Sequence, residues 1–395
     1  MFRTKALTFL YLLLFTSFLG YSQNIKENNI NFTLLDSTNQ SSNLVTTELI
    51  KVGNKTFAYV AGENKTLQVY KISKEKKLDL LEEYQVTNKS GGIRALTHIP
   101  FKHSNLLLLG NKADNALEVY RIKSSGKLEK INTVYDTDST FIDEIVTIHP
   151  IVLNNKTFIY SGGLDNGITC FEIKEDGTLY HVQSIEDNDS LFLHGIIGMT
   201  SLIIKNKTFL ITGAFFDDGI SSFEVMNNGY LKNVSNVKDD NELFLNGTYP
   251  INSVKLGNNN FLLVGHRHKI YYTNQNAESN YHGDGINVFK IDAEDQITLQ
   301  YLLKDNERSY LKGSTRIEII KVNKNQAIVI IGTRDDKRIQ VCLLKQDGIL
   351  IPITSIDLEY PIYNGMTIKK DGDNWYLLAG AYKKNILELY SIYIK

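Results

Sequence analysis

One pattern of apolar and polar positions recurs seven times along the chain. Each copy has an apolar run that ends in a glycine, then a polar turn, then a segment in which apolar and polar residues alternate. The copies at residues 57–72 (FAYVAGENKTLQVYKI) and 209–225 (FLITGAFFDDGISSFEV) are examples. Alternation with a period of two, interrupted by a turn, predicts a β-hairpin in every copy.

The spacing of the copies predicts how the hairpins are arranged. The marker glycines are Gly62, Gly110, Gly162, Gly213, Gly265, Gly332 and Gly380, and their successive spacings are 48, 52, 51, 52, 67 and 48 residues. The long interval contains an insertion at residues 266–284, in the fifth copy. An all-β repeat of about 50 residues is typical of propeller blades rather than of helical solenoids.

Two more strands complete each copy. An apolar segment precedes each hairpin, and another strand follows a second turn such as KEDGTL (174–179), MNNGYL (226–231) or KQDGIL (345–350). We expect two-residue type I′ turns there, because Asp-Gly and Asn-Gly accept positive φ at both central positions. Each copy is therefore a four-stranded blade, with strands A, B, C and D in chain order.

The chain also carries a signal for ring closure. The last copy reaches Lys395 straight after its third strand, and NFTLLD (31–36) precedes the first copy as an orphan strand. Pairing the two leaves no open edge between the first and last blades. The prediction is an all-β fold, a single seven-bladed β-propeller over residues 23–395, whose last four-stranded blade is closed by the N-terminal strand.

The first 22 residues follow a different pattern. Arg3 and Lys5 precede an apolar run at residues 6–19, and the small residues Gly20 and Ser22 follow. This order is that of a secretory signal peptide, and about 14 apolar residues fall short of the roughly 20 that span a bilayer. We expect cleavage after residue 22 and a periplasmic or extracellular location. The alternative is an uncleaved membrane anchor.

Composition limits the partners. The chain has 43 Lys and Arg residues against 44 Asp and Glu, so without Arg3 and Lys5 the net charge is about −3. That balance gives no electrostatic footprint for nucleic acid or for an anionic membrane. No later segment has membrane-spanning length, and we expect a monomer.

Cys170 and Cys342 fall on C strands of blades 3 and 6, too far apart for a disulfide.

The repeated segments carry a family resemblance. Copies of the form YVAG, turn, LQVYKI and DGxL resemble the lactonase-like seven-bladed propellers, which include bacterial 6-phosphogluconolactonase and related repeat proteins of the cell envelope. The likeness spans nearly the whole chain after residue 22. It implies the propeller fold and suggests hydrolysis of a sugar lactone, although no catalytic residue of that family maps onto a particular position here.

One face of the predicted ring collects acidic turns. In a propeller the D-to-A and B-to-C connections emerge on one face, called the top face here, and the A-to-B and C-to-D turns emerge on the bottom face. The B-to-C turns bring Asp217, Asp218, Asp335 and Asp336 to the top. Converging carboxylates can bind Ca²⁺, which takes six to eight oxygen ligands. The alternative is that these aspartates simply form turns.

The A strands line the central channel, and their first residues open at its top mouth. Arg94, Glu144, Arg316 and Glu318 lie near those strand starts. Alignment of Pro100 with Pro150 makes the first two equivalent in adjacent blades. A mixed ring of Arg and Glu can hold a polar or sugar-like ligand, with arginine gripping a carboxylate or phosphate through paired hydrogen bonds. The alternative is a water-filled channel in which these charges pair with one another.

The insertion adds a polar, aromatic segment to a top-face connection. It contains His266, His268, Tyr271, Tyr272 and Tyr281. Tyrosines beside polar groups are typical of small-ligand pockets, and two histidines two apart on a strand can ligate zinc with a third group, although no zinc signature is present. The alternative is an ordinary surface loop, since insertions there cost little entropy.

Two functions follow from these patterns. We interpret the chain as an exported binding module whose partner, a small molecule, glycan or protein, docks at the top face and channel mouth, because no nucleophile elbow or phosphate-binding glycine loop occurs. The alternative is a lactonase-type hydrolase that uses an Arg, Glu and His cluster at the channel mouth to polarise a lactone carbonyl and activate water.

Overall fold

The structure is a computed structural model that describes residues 30–39, 43–89, 91–102, 104–240, 243–267, 284–292 and 296–395. The predicted signal peptide at residues 1–22 lies outside the described residues, as does most of the insertion. Among the residues that are described, no helix is long and apolar enough to cross a membrane. The one helical element in this part of the chain is a 3₁₀ turn at Lys112–Asp114.

The described residues form seven antiparallel sheets of four strands each, which confirms the predicted seven-bladed β-propeller. Blades 1 to 3 contain β2 (Leu44–Val52), β3 (Lys55–Gly62), β4 (Thr66–Ile72), β5 (Leu78–Gln85), β6 (Ile93–Phe101), β7 (Ser104–Asn111), β8 (Ala116–Ile122), β9 (Leu128–Tyr135), β10 (Ile145–Leu153), β11 (Lys156–Gly163), β12 (Gly167–Ile173) and β13 (Leu179–Glu186). Blades 4 to 6 contain β14 (Ile196–Ile204), β15 (Lys207–Ala214), β16 (Gly219–Val225), β17 (Leu231–Lys238), β18 (Thr248–Leu256), β19 (Asn259–His266), β20 (Gly285–Ile291), β21 (Ile297–Lys304), β22 (Ser314–Lys321), β23 (Gln326–Thr333), β24 (Arg338–Lys345) and β25 (Leu350–Asp357). Blade 7 contains β26 (Met366–Asp371), β27 (Asn374–Gly380), β28 (Leu387–Ile394) and β1 (Ile30–Thr38).

The N-terminal strand closes the ring as predicted. β1 pairs antiparallel with β28, from Ile30 opposite Ile394 to Thr38 opposite Leu387, with one bulge. The strand order β1-β28-β27-β26 makes β1 the fourth strand of blade 7. Asp36 in β1 also accepts a hydrogen bond from the backbone N–H of Leu78 in blade 1 at 2.8 Å. One strand therefore completes the last blade and ties it to the first.

Apolar side chains of neighbouring blades pack against each other and form the core. The fully buried Phe57 and Tyr59 of blade 1 pack against apolar side chains of β7 in blade 2. Burial of one such side chain contributes about 1.5–3 kcal/mol. Tyr59 Oη donates to the carbonyl of Gly126 in blade 2 at 2.8 Å, and Tyr160 donates to Gly229 between blades 3 and 4 at 2.8 Å. These repeated bonds satisfy the one polar atom of each buried ring.

The tight turns differ from the sequence-based expectation. In the C-to-D turn of blade 3 only Gly177 has positive φ, at 93°. Lys174 N–H donates to Thr178 O at 2.8 Å and Gly177 N–H donates to Lys174 O at 2.9 Å, so three residues form the loop and the predicted two-residue type I′ turn is wrong. The preceding aspartate accepts a bond from Thr178 N–H, which favours this geometry. In the A-to-B turn, Asn154 and Asn155 do both have positive φ.

The register of the A strands corrects one alignment. Pairing places Ala95 of blade 2 and Thr147 of blade 3 opposite their marker glycines. The residues before them, Arg94 and Val146, are therefore equivalent. Glu144 lies two positions earlier, so its expected equivalence with Arg94 is wrong. The two prolines used as a guide lie at different distances from their A-to-B turns.

Both cysteines are free and buried. Cys170 lies in β12 and Cys342 in β24, the C strands of blades 3 and 6. Loss of hydration raises the pKa of the Cys170 thiol to about 12 and also raises the pKa of Cys342. The predicted unpaired state is confirmed, and neither thiol is poised to react.

Candidate functional site

A small cavity, called the mouth cavity here, lies at the top end of the channel. Its wall is built from the second residues of several A strands, from B-to-C connections and from the D-to-A connection before blade 7. Its volume is about 90 Å³. It is lined by Val45, Arg94, Lys112, Val146, Leu164, Ile197, Phe215, Tyr249, Tyr363 and Asn364. The wall thus combines apolar and aromatic surface with two cations, which suits a ligand group with an anionic edge.

Arg94 supplies much of the charge in the mouth cavity. Its Nη2 donates to Glu63 Oε1 at 2.5 Å, and its guanidinium carbon lies 5.6 Å from the ring centroid of Tyr363. Its Nε is buried and has no hydrogen-bond partner among the described residues. Because buried donors are normally satisfied, this N–H can serve an acceptor that enters the cavity.

Aromatic rings form another part of the wall. Tyr249 and Tyr363 lie edge to face with their centroids 5.9 Å apart, and Tyr363 lies 5.0 Å from Tyr382. The guanidinium carbon of the buried Arg267 is 5.1 Å from the Tyr249 centroid and 5.4 Å from the Tyr363 centroid. Cation–π attraction of this kind holds the rings in position. The aromatic surface is therefore preorganised for stacking.

Glu144 also lies at the mouth of the channel, but not at the A-strand position expected for it. It precedes β10 with a φ of 47°, and its carboxylate lies 3.0 Å from Lys112 Nζ. The structure therefore brings Arg94 and Glu144 to one rim, but each is paired with another residue rather than with the other.

A second chamber, called the lower chamber here, lies deeper in the channel and has a volume of about 250 Å³. Its acidic and basic lining residues are Glu48, His149, Arg316 and Glu318. Arg316 and Glu318 are the third and fifth residues of β22, so they lie inside the channel rather than at its mouth. Arg316 Nε and Nη2 both donate to Glu318 Oε1 at 2.7 Å. This part of the predicted Arg/Glu ring is an ion pair.

Enclosure changes the ionisation of the lower chamber. Loss of hydration raises the pKa of Glu48 from 4.5 to about 7; the Arg316 guanidinium opposes this shift and the Glu318 carboxylate adds to it. Loss of hydration also raises the pKa of Glu318, against the effect of its bond to Arg316. It lowers the pKa of His149 to about 4. The chamber therefore holds a carboxyl group that keeps its proton to a higher pH than usual, an Arg–Glu ion pair, and an imidazole that is neutral at pH 7.

Polar groups of neighbouring A strands bond to each other around the lower chamber. His149 Nε2 lies 2.9 Å from Ser201 Oγ, and Thr200 Oγ1 lies 2.8 Å from Ser253 Oγ. Asn252 Nδ2 donates to the carbonyl of Ile317 in the next blade at 2.9 Å. These bonds fix the chamber wall, so the ionisable groups project from a rigid support.

The four aspartates suggested as calcium ligands lie in turns and bond to protein groups. Three accept backbone N–H groups of a neighbouring loop: Asp217 from His194, Asp218 from Gly247 and Asp336 from Lys312, at 2.7, 2.7 and 2.8 Å. Asp335 accepts two hydrogen bonds from Arg334. Within the described ranges, no group of three or more His, Cys, Asp or Glu side chains is placed to hold a metal ion.

The acidic D-to-A connections contain a repeated hydrogen bond that sequence reasoning missed. After blades 2 to 5, an aspartate at the end of the D strand accepts the backbone N–H of a buried Ile or Leu six residues later. The pairs are Asp136–Ile142, Asp187–Leu193, Asp239–Leu245 and Asp305–Leu311, at 3.1, 2.9, 2.6 and 2.8 Å. Much of the acidic character of the top face therefore serves loop structure.

The described ends of the insertion are buried. His266 ends β19, and its ring lies 6.2 Å from that of Phe244. Arg267 and Asp284 are also buried. His268, Tyr271, Tyr272 and Tyr281 lie outside the described residues, so their role in binding stays a prediction.

Some site residues were missed although the sequence contained a signal for them. Tyr249 occupies the same A-strand position as Arg94, and Glu48 the same position as Glu318. A strict register of the A strands would have found both. Tyr363 lies in a connection without a repeated pattern, and only the closed ring brings it to the mouth.

Comparison with known proteins bears on the fold. No protein-family model and no curated protein matches the chain. The structure is similar to the crystal structure of a structural-genomics target from Lactobacillus plantarum, with a TM-score of 0.60, 13% sequence identity, and coverage of 84% of this chain and 88% of that chain. At this identity the likeness shows a shared fold.

Proposed function

We propose that this protein is an exported binding module that holds the anionic end of a small polar ligand, such as a sugar acid, in the mouth cavity. The observation that carries the proposal is the buried Arg94 Nε–H, which faces no hydrogen-bond acceptor among the described residues. The order of residues 1–22 supports export. A larger glycan or a protein segment with an exposed carboxylate has the same chemistry at its anionic end.

The shape of the cavity narrows the ligand further. A volume of about 90 Å³ suits a carboxylate with its neighbouring carbons rather than a whole sugar. The carboxylate accepts from Arg94 and lies near Lys112, while the adjoining carbon chain packs on the Tyr249 and Tyr363 rings. Charge-assisted hydrogen bonds of this kind are about twice as strong as neutral ones. The rest of the ligand then extends over the top face.

A thermal-shift measurement tests the class of ligand. D-gluconate is the probe, and D-glucitol is the matched control because it has the same carbon chain without the carboxylate. Gluconate is expected to raise Tm in proportion to the logarithm of its concentration, and glucitol to leave Tm unchanged. Equal shifts with both compounds, or no shift with gluconate, would contradict an anion site.

A second candidate function is hydrolysis of a sugar lactone, which the resemblance to lactonase-like propellers suggests. The observation that favours it is Glu48, whose pKa of about 7 suits a general base and which lines one chamber with Arg316. Glu48 would take a proton from water as the water oxygen bonds to the lactone carbonyl carbon, with Arg316 near the carbonyl oxygen. The ring C–O bond then breaks, and the proton passes to the departing alkoxide.

Acid release from δ-gluconolactone tests this second function. If it is correct, turnover exceeds the spontaneous rate and Glu48→Gln lowers kcat by about 100-fold or more. The exposed Glu307→Gln is the control and keeps the wild-type rate. Acid release at the spontaneous rate would exclude lactone hydrolysis and leave the binding proposal intact.

A further inference from the structure

The two faces of the ring differ in charge. Aspartates occupy the top connections, whereas on the bottom face every A-to-B turn has a lysine in or beside it. Some of these lysines are paired: Lys51 with Asp371 at 2.6 Å and Lys102 with Glu175 at 2.6 Å. The near-neutral composition of the chain therefore conceals a basic bottom face opposite an acidic top face.

The bottom rim of the channel has two distinct arcs. In each blade, one A-strand residue lies two positions before the first residue of the A-to-B turn. Strand pairing makes these seven residues equivalent, so they lie on one circle around the channel. In blades 5, 6, 7 and 1 this position holds Lys255, Lys321, Lys370 and Lys51. In blades 2, 3 and 4 it holds Pro100, Val152 and Ile203. A basic arc thus faces an apolar arc across the channel.

Exposed apolar side chains concentrate on the same face. Val152 is 66% exposed and Ile203 is 65% exposed. Other exposed large apolar side chains in or beside bottom turns are Tyr180, Met226, Tyr230, Ile349 and Tyr393. Exposed apolar surface of this kind marks a site of interaction. Its coincidence with the lysines makes the bottom face amphipathic.

We propose that the bottom face docks the protein peripherally on an anionic lipid bilayer. Turn tips that lie on one face form a broad surface that suits a membrane, with Val152 and Ile203 at the headgroup level and the lysine arc on lipid phosphates. A soluble polyanion would need the lysines alone and would leave the apolar arc without a role. The proposal does not depend on the mouth cavity, which lies at the opposite end of the channel and would face away from the membrane.

A cleft at the seam of the ring fits the same partner. It lies on the bottom side between blades 7 and 1, has a volume of about 410 Å³, and is lined by Lys55, Lys71, Lys74 and Lys76 together with Glu75 and Asp371. Four ammonium groups against two carboxylates favour an anion. A lipid headgroup phosphate is of suitable size and charge for it.

Vesicle co-sedimentation tests the docking. The probes are vesicles of phosphatidylcholine with phosphatidylglycerol, and vesicles of phosphatidylcholine alone. The protein is expected to bind the anionic vesicles, more weakly as salt rises, and to leave the neutral ones. Removal of three charges in Lys255→Gln/Lys321→Gln/Lys370→Gln is expected to weaken binding by about tenfold or more. Val152→Ser/Ile203→Ser is expected to weaken it by about fivefold or more.

The top face supplies the matched control. Lys337→Gln/Lys383→Gln/Lys384→Gln removes the same charge from exposed top-face turns and is expected to bind vesicles as the wild type does; thermal unfolding verifies that each variant is folded. No sedimentation with anionic vesicles, or equal loss in the top-face variant, would overturn the proposal. Vesicle binding that is unchanged in Val152→Ser/Ile203→Ser and is abolished by soluble polyphosphate would also overturn the proposal, because that result identifies a polyanion site.

Discussion

Asp187 accepts a hydrogen bond from the backbone N–H of Leu193 at 2.9 Å, across the loop that leads from blade 3 to blade 4. Leu193 is fully buried, so the bond satisfies a backbone donor that the core hides from water and fixes the return of the loop into the next blade. The same bond follows blades 2, 4 and 5. The aspartates of these top-face loops therefore stabilise the connections between consecutive blades.

Replacement of this aspartate should weaken the connection. Asp187→Ala leaves the Leu193 N–H without its acceptor, and we expect the free energy of unfolding to fall by about 1–3 kcal/mol. Asp189→Ala, two residues further along the loop at an exposed position, is the matched control and should change it by less than about 0.5 kcal/mol. Urea denaturation measures both, and equal effects would refute the structural role.

Removal of the closing strand should destabilise the whole ring. A truncation that begins at Asn39 deletes β1 and leaves the edge of β28 and the side chains around the buried Ile30 position open to water. We expect Tm to fall by about 10 °C or more. A truncation that begins at Ile30 keeps β1 and should melt as the full chain does. Calorimetric scans that gave the same Tm for both truncations would contradict closure by β1.

Glu48 should make stability depend on pH. Its pKa is raised from 4.5 to about 7 in the folded protein, so between these values the folded state holds a proton that the unfolded chain releases. This group's contribution to the free energy of unfolding is therefore full below pH 4.5 and is lost as pH rises to about 7. Glu48→Gln has no carboxyl group to titrate, so its stability relative to wild type should be about 2–3 kcal/mol higher at pH 8 than at pH 5.

The control for this effect is Glu307→Gln, on an exposed top-face loop, whose stability difference from wild type should not change between the two pH values. Urea denaturation at pH 5 and pH 8 provides the comparison. A Glu48→Gln difference that is constant with pH would show that the carboxyl group titrates normally.

The cysteines should resist alkylation in the folded state. Both thiols are buried, and their raised pKa keeps them protonated at neutral pH. Iodoacetamide should label Cys170 and Cys342 only after unfolding, which mass spectrometry of peptides resolves. Rapid labelling of either thiol in native buffer would contradict its burial, and a crosslinked peptide between the two would contradict the placement of β12 and β24 in separate blades.

The sequence predicted the blades well because the same hairpin chemistry recurs in every copy, and it predicted β1 because an orphan strand has to pair with an open edge. The prediction failed at the KEDGTL turn, where more than one loop geometry is possible. Asp176 accepts a hydrogen bond from Thr178 N–H, and this bond favours a three-residue loop. The prediction also failed where prolines served as the guide to register, since Pro100 and Pro150 are not equivalent.

The candidate site was predicted only in part for a related reason. Arg94 could be found because it lies at the start of a repeated strand. Tyr363 could not, because it lies in a D-to-A connection whose sequence does not repeat a pattern of the other copies. Glu63 and Arg94 are 31 residues apart and meet only after two blades have packed together. Convergence of this kind depends on the closed ring rather than on local sequence.

Ligand binding at the mouth cavity is tested most directly by titration calorimetry with D-gluconate on three proteins: wild type, Arg94→Lys and Arg121→Lys. Lysine keeps the charge of Arg94 but has no Nε–H in the same place, so Arg94→Lys should weaken binding by about tenfold or more. Arg121 lies at the bottom end of β8, and its replacement by lysine should leave the affinity unchanged. Wild-type affinity in Arg94→Lys, with a loss in Arg121→Lys, would contradict binding at the mouth.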